Sequence, residues 1–228
     1  MAVSVDTVYQ RVLAILNKEQ RGYVTPQEFN LFANQAQMDI FEQYFYDINQ
    51  FGRLHGNDTE YSDMLNILNE KINIFEKNGS MTYSSNYWSE PSDLYRMGTI
   101  IYNSVEAERI NANEYLYINA SPLTKPTDAR PIFVASSSGY KVYGTNELTS
   151  GVSCNYIKKP ATVKWAYQEI AGRALYDANN KVDFELHASE ETELVFKILQ
   201  LAGLSIKELQ VYQVGNQMEG QNTQQEKA

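Results

Sequence analysis

Residues that cross-link chains or ligate metals are scarce in this 228-residue chain, which has one cysteine, Cys154, and two histidines, His55 and His187. A single cysteine excludes an intrachain disulfide and fits a reducing folding compartment. Neither histidine belongs to a metal-ligand spacing such as HExxH. We therefore expect no metal and no cofactor, with His55 in a loop and His187 bonded to backbone groups at a helix start.

Long apolar runs and targeting signals are also missing. No run approaches the length that spans a bilayer. The first residues lack the basic region and apolar stretch of a signal peptide. We therefore expect a soluble protein that does not act at a membrane.

Basic residues are the minority, with 19 Lys and Arg against 28 Asp and Glu, a net charge of −9. This balance argues against a protein that grips nucleic-acid phosphates. It also makes identical subunits repel one another, so we expect the isolated chain to be largely monomeric. Acidic composition thus points away from nucleic acid as a specific ligand.

Catalytic motifs are absent, since the chain contains no P-loop, GxGxxG, GxSxG or CxxC. Cys154 and His187 could be imagined as a nucleophile and its base. However, Cys154 alternates with Val152 and Tyr156 on one strand face, which favours a buried structural thiol. The sequence therefore predicts no catalytic residue, and we expect the protein not to be an enzyme.

Two acidic stretches invite a calcium interpretation. Asp58, Glu60 and Asp63 coincide with a predicted helix start, where capping explains them without a metal. Residues 177–183 match an EF-hand loop at the first and third positions. They fail at the fifth position, where Lys181 stands, and lack the glycine required at the sixth. We therefore expect no calcium site in either stretch.

Helical periodicity marks both ends of the chain. Apolar residues recur at helical spacing over residues 4–20 and 60–77, the latter ending at Asn78-Gly79. Thr25-Pro26-Gln27-Glu28 combines a capping Thr, a Pro at the first position and a Glu three after the cap, so a helix should run from there to about Asn49. Acidic residues after Ser189 predict another helix that ends at Gly203.

Strand signals fill the middle of the chain. β-branched and bulky residues crowd the run from Tyr95 to Tyr102. Residues 132–135 and 140–143 flank the loop 136–139, which is typical of a hairpin. We also predict strands at Tyr115–Ile118 and Val152–Tyr156, an extended stretch over 80–90 and an exposed loop over 121–131. Residues 163–177 fit either a hairpin, with Gly172 in the turn, or a helix.

Helices followed by strands predict an α+β protein. In this prediction an N-terminal helical bundle and a C-terminal helix accompany a small antiparallel β-sandwich or barrel-like module. Its parts are a helical region over 1–79, the β module over 80–186, a helix over 187–203 and an extended arm over 204–228. Seventeen tyrosines predict much amphipathic contact surface.

Six segments carry a family resemblance by their number and order, since none is a chemical motif. They are Leu16–Phe29, Glu114–Pro126, Arg130–Val134, Val142–Gly144, Cys154–Pro160 and Asp183–Val195. In this order they resemble the head-to-tail adaptor, or ring and connector, virion proteins of short-tailed bacteriophages, the crAss-like phages in particular. The resemblance covers nearly the whole chain and favours the hairpin over residues 163–177.

The resemblance implies a structural role. Such adaptors form a dodecameric ring under the portal protein and join the DNA-filled capsid to the tail. Expected partners are further copies of the chain, the portal and the tail rings below, while DNA passes without specific binding. The expected location is the virion neck or tail, after assembly in the bacterial cytoplasm. The C-terminal arm would dock into the portal through its apolar residues, Ile206, Leu209, Val211, Tyr212 and Val214.

Two alternatives stay open. The chain could be another structural protein of a tail ring or tail tube, since such proteins share this architecture. It could also act on glycans through an Asp/Glu pair set across a cleft, because such a pair leaves no local spacing in a sequence.

Overall fold

The computed structural model describes residues 3–18, 24–51 and 58–205. The arm residues Ile206, Leu209, Val211, Tyr212 and Val214, and also His55, lie outside this described part. Helices and mixed sheets both occur, so the predicted α+β class is confirmed. The chain divides into two compact units, residues 1–74 with 160–228 and residues 75–159.

The helices and strands are numbered in chain order. The helices are α1 (Val5–Lys18), α2 (Pro26–Phe51), α3 (Asp58–Asn73), α4 (Ala112–Ala120) and α5 (Glu191–Ser205), the last preceded by a 3-10 turn at Ala188–Glu190. The strands are β1 (Glu76–Ser80), β2 (Thr82–Ser84), β3 (Tyr87–Ser89), β4 (Leu94–Tyr102), β5 (Val105–Glu106), β6 (Glu108–Ile110), β7 (Ile132–Ser136), β8 (Gly139–Tyr143), β9 (Val152–Lys158), β10 (Tyr167–Ile170) and β11 (Arg173–Tyr176).

The first unit, called the helical unit here, packs α5 against α1 and α2. The predicted capping box opens α2, because Thr25 N and Oγ1 both donate to Glu28 Oε2, at 2.9 and 2.8 Å. Apolar residues at helical spacing fill the core, including Val5, Val8, Val12, Phe29, Ile40, Leu194 and Ile198. The three valines of α1 thus face the same interior as Leu194 and Ile198 of α5.

A nearly buried ion pair also ties the helical unit together. Lys71 Nζ of α3 lies 2.6 Å from Glu190 Oε1 of the 3-10 turn, with side chains 12% and 3% exposed. Lys71 also lies over the ring of Tyr44, 5.6 Å from its centroid. Loss of either charged partner would leave the other charge desolvated, so the pair restricts which residues these positions accept.

The second unit, called the β unit here, contains two sheets. The strand orders are β1-β9-β4-β5 and β2-β3-β8-β7-β6, antiparallel throughout except for the parallel pair β6 and β7. Both sheets contribute to one core, which contains Trp88, Ile100, Phe133, Val142, Val152 and Cys154. The shared core makes this unit a small sandwich, as alternation along β9 predicted.

Three hairpins of the protein close on two-residue turns with positive φ at both positions. The turns are Ser85-Asn86, Asn103-Ser104 and Ala171-Gly172, with φ between 48° and 73°. Positive φ at both positions gives a type I′ geometry, whose twist matches that of the flanking strands. The hairpin over 163–177 is therefore real, and the alternative helix there is wrong.

One predicted strand is wrong. Residues 115–118 belong to helix α4, which Asn111 caps by donating its backbone N–H to Glu114 Oε2 at 3.0 Å. The alternation of Tyr and aliphatic residues is only four residues long, and the cap outweighs it. Tyr115 stacks on Tyr143 with ring centroids 4.3 Å apart, while no residue of α4 is buried.

Several predicted boundaries also move. Helix α3 ends at Asn73 rather than near residue 77, because residues 76–80 pair with β9 as strand β1. Helix α5 continues past Gly203 to Ser205. The β7–β8 turn is tighter than predicted, since Ser136 and Gly139 are themselves paired. In the first case, sheet pairing outside the local sequence decides where the helix stops.

Candidate interaction surface

The β10–β11 hairpin, residues 167–176, is called the ribbon here. Its two strands form a sheet of their own, and within the described residues no third strand pairs with them. The register places Tyr167 opposite Tyr176 and Ile170 opposite Arg173. Two strands alone are marginally stable in water. The ribbon therefore needs support from outside its own pairing.

The free face of the ribbon carries two exposed aliphatic side chains beside Gln168 and Arg173. Opposite residues in an antiparallel pair share a face, so Ile170 and Arg173 lie on the same side as Gln168 and Leu175. Ile170 is 57% exposed and Leu175 is 60% exposed. Ile170 and Leu175 are diagonal neighbours on one face of the two strands, so together they make this face a candidate contact surface.

The other face is fixed to the helical unit by aromatic rings. Trp165, itself buried, stacks on Tyr167 and Tyr176 with ring centroids 5.9 and 5.5 Å away. Tyr9 of α1 packs on the same indole at 4.3 Å. The indole Nε1 donates to Asp6 Oδ1 at 2.9 Å. One tryptophan thus holds both strands at the base of the ribbon.

Side-chain amides of α2 hold the segment that carries Trp165. Asn30 accepts from Trp165 N at 2.7 Å and donates to Trp165 O at 3.2 Å. Asn34 accepts from Val163 N at 2.8 Å and donates to Val163 O at 2.9 Å. Each amide therefore pairs with one residue as a neighbouring β-strand would, through one donor and one acceptor.

A third amide continues this arrangement, which we call the amide ladder: Asn30, Asn34 and Gln37. Gln37, 1% exposed, donates to Ala161 O at 2.9 Å and accepts from Glu185 N at 3.1 Å. Four residues of helix advance about 6 Å, and two residues of strand advance about 6.6 Å. The step from Asn30 to Asn34 therefore nearly matches the step from Trp165 to Val163, so two amides of α2 bond alternate residues of the extended chain. The step from Asn34 to Gln37 is shorter, about 4.5 Å.

The amide ladder is a feature that the sequence prediction missed. Asn and Gln on a helix usually indicate a solvated face, so the sequence prediction assigned no role to residues 30, 34 and 37. The available signal is their spacing, because i, i+4 and i+7 lie on one side of a helix. The buried Ala33 and Ala36 lie on α2 between them. Amides on the buried side of a helix predict an extended segment packed along it.

Two residues considered as a catalytic pair have structural surroundings. Cys154 is fully buried in the core of the β unit, and burial raises the pKa of its thiol. His187 caps the 3-10 turn, where its Nδ1 accepts from Ser189 N at 3.3 Å. Both surroundings agree with the predicted structural roles.

The candidate calcium stretch over residues 177–183 contains an ordinary turn. The Asp177 carboxylate accepts from Asn180 Nδ2 at 2.8 Å and from Asn179 N at 3.0 Å. These bonds, that from Asn180 first, hold the pKa of Asp177 below its usual range. Helix α3 starts at Asp58. In the part of the chain that the structure describes, no group of three or more His, Cys, Asp or Glu could hold a metal ion.

A cleft of about 450 Å³ opens in the β unit beside β4. An enzyme that works through two carboxylates would bind its substrate in such a cleft, with one carboxylate on each side of the reacting bond. Its acidic lining residues, Glu106 and Glu108, come from one stretch of chain, and Arg109 follows them. The remaining lining residues are Met97, Gly98, Thr99, Ala107, Phe133, Ala135 and Tyr140. No carboxylate among these lining residues stands on the wall formed by β4, β7 and Tyr140.

Comparison with known proteins does not extend this description. No protein-family model matches the chain, and no curated protein is significantly similar to it in sequence. Among the helices of residues 3–18, 24–51 and 58–205, none is long and apolar enough to cross a membrane. The geometry of the ribbon and its support is therefore the main structural guide to function.

Proposed function

We propose that this chain is a structural virion protein, a head-to-tail adaptor that forms a ring under the portal and joins the capsid to the tail. The family resemblance suggests the role. The observation that carries it furthest is the ribbon, which exposes Ile170 and Leu175 while its base is clamped by Trp165.

The exposed side chains of the ribbon differ from isolated surface aliphatic residues because the ribbon is held rigidly. The amide ladder fixes the segment before the ribbon, and the stacked rings fix its base. An interface formed by a preorganised element loses little conformational entropy on binding. A protein that builds a lasting assembly benefits from such an element, because every subunit must present the same surface in the same place.

Contact with other chains is thus assigned to the ribbon. Contact with the portal is assigned by the resemblance to the arm at 204–228, mostly outside the described residues. The acidic composition agrees with a ring through which DNA passes, since few basic groups would hold phosphates. In this proposal the protein binds no metal and no cofactor, and catalyses no reaction.

Labelling the virion tests the proposed location. The tagged chain, supplied during growth of the phage that encodes it, should be found by electron microscopy at the neck, between the capsid and the tail. Label on the capsid shell or at the distal end of the tail, or no label on particles, would contradict the proposal.

Ribbon variants test the assembly role. Replacing Ile170 and Leu175 together by Thr removes apolar surface and places a β-branched residue, which favours strand, at each position. We expect the variant to fold normally and to be excluded from virions. Leu123→Thr, at a position 91% exposed in the β unit, is the matched control and should be incorporated like the wild type. Equal incorporation of both variants would show that the ribbon is not an assembly contact.

A further inference from the structure

The outer edges of the ribbon are open. Among the described residues its sheet consists of β10 and β11 alone, so each strand has one side without a strand neighbour. Open edges are usually protected by charged side chains, Lys above all, by Pro or by very short strands. Each four-residue strand of the ribbon, Tyr-Gln-Glu-Ile and Arg-Ala-Leu-Tyr, has one charged residue and neither Lys nor Pro. The edges are therefore competent to pair with a further strand.

The two edges carry opposite charges. Glu169 is the only charged residue of β10, and Arg173 is the only charged residue of β11. Neighbouring strands lie about 4.8 Å apart, so charges on such short adjacent strands interact at low ionic strength, where the Debye length reaches about 30 Å. Pairing β11 with β10 of another chain places unlike charges on adjacent strands, on opposite faces of the sheet. Pairing β10 with β10, or β11 with β11, places like charges on adjacent strands.

The ribbon's own register shows that the two strands fit each other. Tyr167 pairs with Tyr176, Gln168 with Leu175 and Ile170 with Arg173. The same pairs would recur if β11 met β10 of a second copy in this register. They would also place Leu175 of one copy on the same face as Ile170 of the next, where cross-strand contacts stabilise pairing.

From these edges we infer that copies of this chain associate head to tail, with β11 of one copy antiparallel to β10 of the next. This inference rests on the proposed ring and names the contact that would build it. A head-to-tail contact uses two different surfaces, and it continues around a ring until the rotation closes. Pairing of identical strands would stop at a dimer. The ribbon thus supplies an interface suited to a ring.

Disulfide trapping tests this contact in the full-length chain. Gln168→Cys and Leu175→Cys are made in separate chains with different tags, which leaves Glu169 and Arg173 intact. In the inferred register these two positions lie opposite each other across the intermolecular edge. Neither variant can form the disulfide within its own ribbon, and the native Cys154 is buried. Trapping accumulates product even when the complex is sparsely populated in solution.

With equal amounts of both chains and a mild oxidant, the mixed 168–175 dimer should dominate. We expect it to exceed the mixed dimer of Gln168→Cys with Ser137→Cys, a control at the exposed β7–β8 turn, by about threefold or more, as a cross-strand preference implies. A mixed dimer at the control level would overturn the inference. So would an excess of 168–168 or 175–175 dimers, which would indicate pairing of identical strands.

Charge reversal gives a second measurement. Arg173→Glu makes both strands acidic and should lower the yield of the mixed dimer, and adding Glu169→Arg in the same chains should restore it. An unchanged yield in Arg173→Glu would overturn the head-to-tail pairing. The proposed function has a separate readout, because neck labelling in virions together with control-level trapping would retain the adaptor and reject this contact.

Discussion

The helical unit and the β unit hold extended chain in two different ways. In the β unit, strands lie against strands, and the backbone groups of β4 and β9 satisfy one another. In the helical unit, residues 161–165 lie against α2, where Asn30, Asn34 and Gln37 take the place of a strand. The comparison shows that a helix can support an extended segment when its amides repeat at the rise of a strand.

The two units also differ in how their sheet edges are protected. The outer strands of the β unit are short or charged: β5 has two residues, β6 and β2 have three, and β1 contains Glu76 and Lys77. The ribbon of the helical unit has four residues and one charged residue in each strand, no Lys, and two exposed aliphatic side chains on its free face. Its edges are longer than β2, β5 and β6 and lack the Lys of β1, which suits an interaction surface.

The largest expected effect concerns the apolar core of the β unit. Trp88 is 3% exposed, donates its Nε1–H to Leu148 O at 2.9 Å and contacts Tyr83 at 5.2 Å between ring centroids. Trp88→Ala leaves a large cavity, so we expect the free energy of unfolding to fall by about 3–5 kcal/mol. Urea denaturation measures it. Trp88→Phe keeps most of the ring and should cost clearly less, and equal costs would contradict a packing role.

The amide ladder should show an intermediate effect. Asn34→Ala removes three side-chain hydrogen bonds, one to Asn30 O and two to the backbone groups of the buried Val163, so we expect a loss of about 2–3 kcal/mol. Gln35→Ala, which removes an exposed bond to Asp39 on the same helix, is the matched control and should change stability little. If both variants are equally stable, the amides do not support the segment and the comparison between the units fails.

Alkaline pH should weaken the β unit through its tyrosines. Burial, together with the hydrogen bond to Glu90 at 2.8 Å, raises the pKa of Tyr140 from 10.0 to about 12. The unfolded chain therefore loses this proton first. Stability is present below pH 10 and is lost as the pH rises from 10 toward 12.

Substitution tests that pH dependence. Tyr140→Phe removes the titrating hydroxyl, so the stability measured by denaturation from about pH 9 to about pH 12 should fall less steeply with pH than in the wild type. Tyr117→Phe, on the exposed side of α4, is the control and should leave the slope unchanged. Burial of Tyr143 also raises its pKa to about 12, so Tyr140→Phe should remove only part of the loss. An unchanged slope in Tyr140→Phe would contradict this origin.

Local patterns predicted the parts of the fold that local chemistry determines. The capping residues Thr25 and Glu28 located the start of α2, a run of bulky and β-branched residues located β4, and alternation located β9. Strand β1 was missed because residues 76–80 contain no large apolar residue, and only pairing with β9 makes them a strand. The amide ladder was missed for a related reason, since its meaning depends on a segment more than 120 residues away.

The smallest expected effect concerns the turn of the ribbon, which differs from the turns of the β unit in the residue placed at positive φ. Two turns of the β unit place Asn at a position of positive φ, whereas the ribbon places Ala171 there, with φ of 53°. A left-handed conformation costs a residue with a Cβ about 1–2 kcal/mol, and Asn tolerates it better than Ala. Ala171→Asn should therefore stabilise the ribbon by roughly 0.5–1 kcal/mol.

Hydrogen exchange of the ribbon amides measures this gain locally, because the ribbon can open without global unfolding. Ala174→Asn is the matched control, since the same side chain placed in the middle of β11 disfavours a strand and should speed exchange. If Ala171→Asn also speeds exchange, the turn does not limit the ribbon. If it slows exchange, the same substitution should raise the yield of the trapped 168–175 dimer, because a better-ordered edge loses less entropy on pairing.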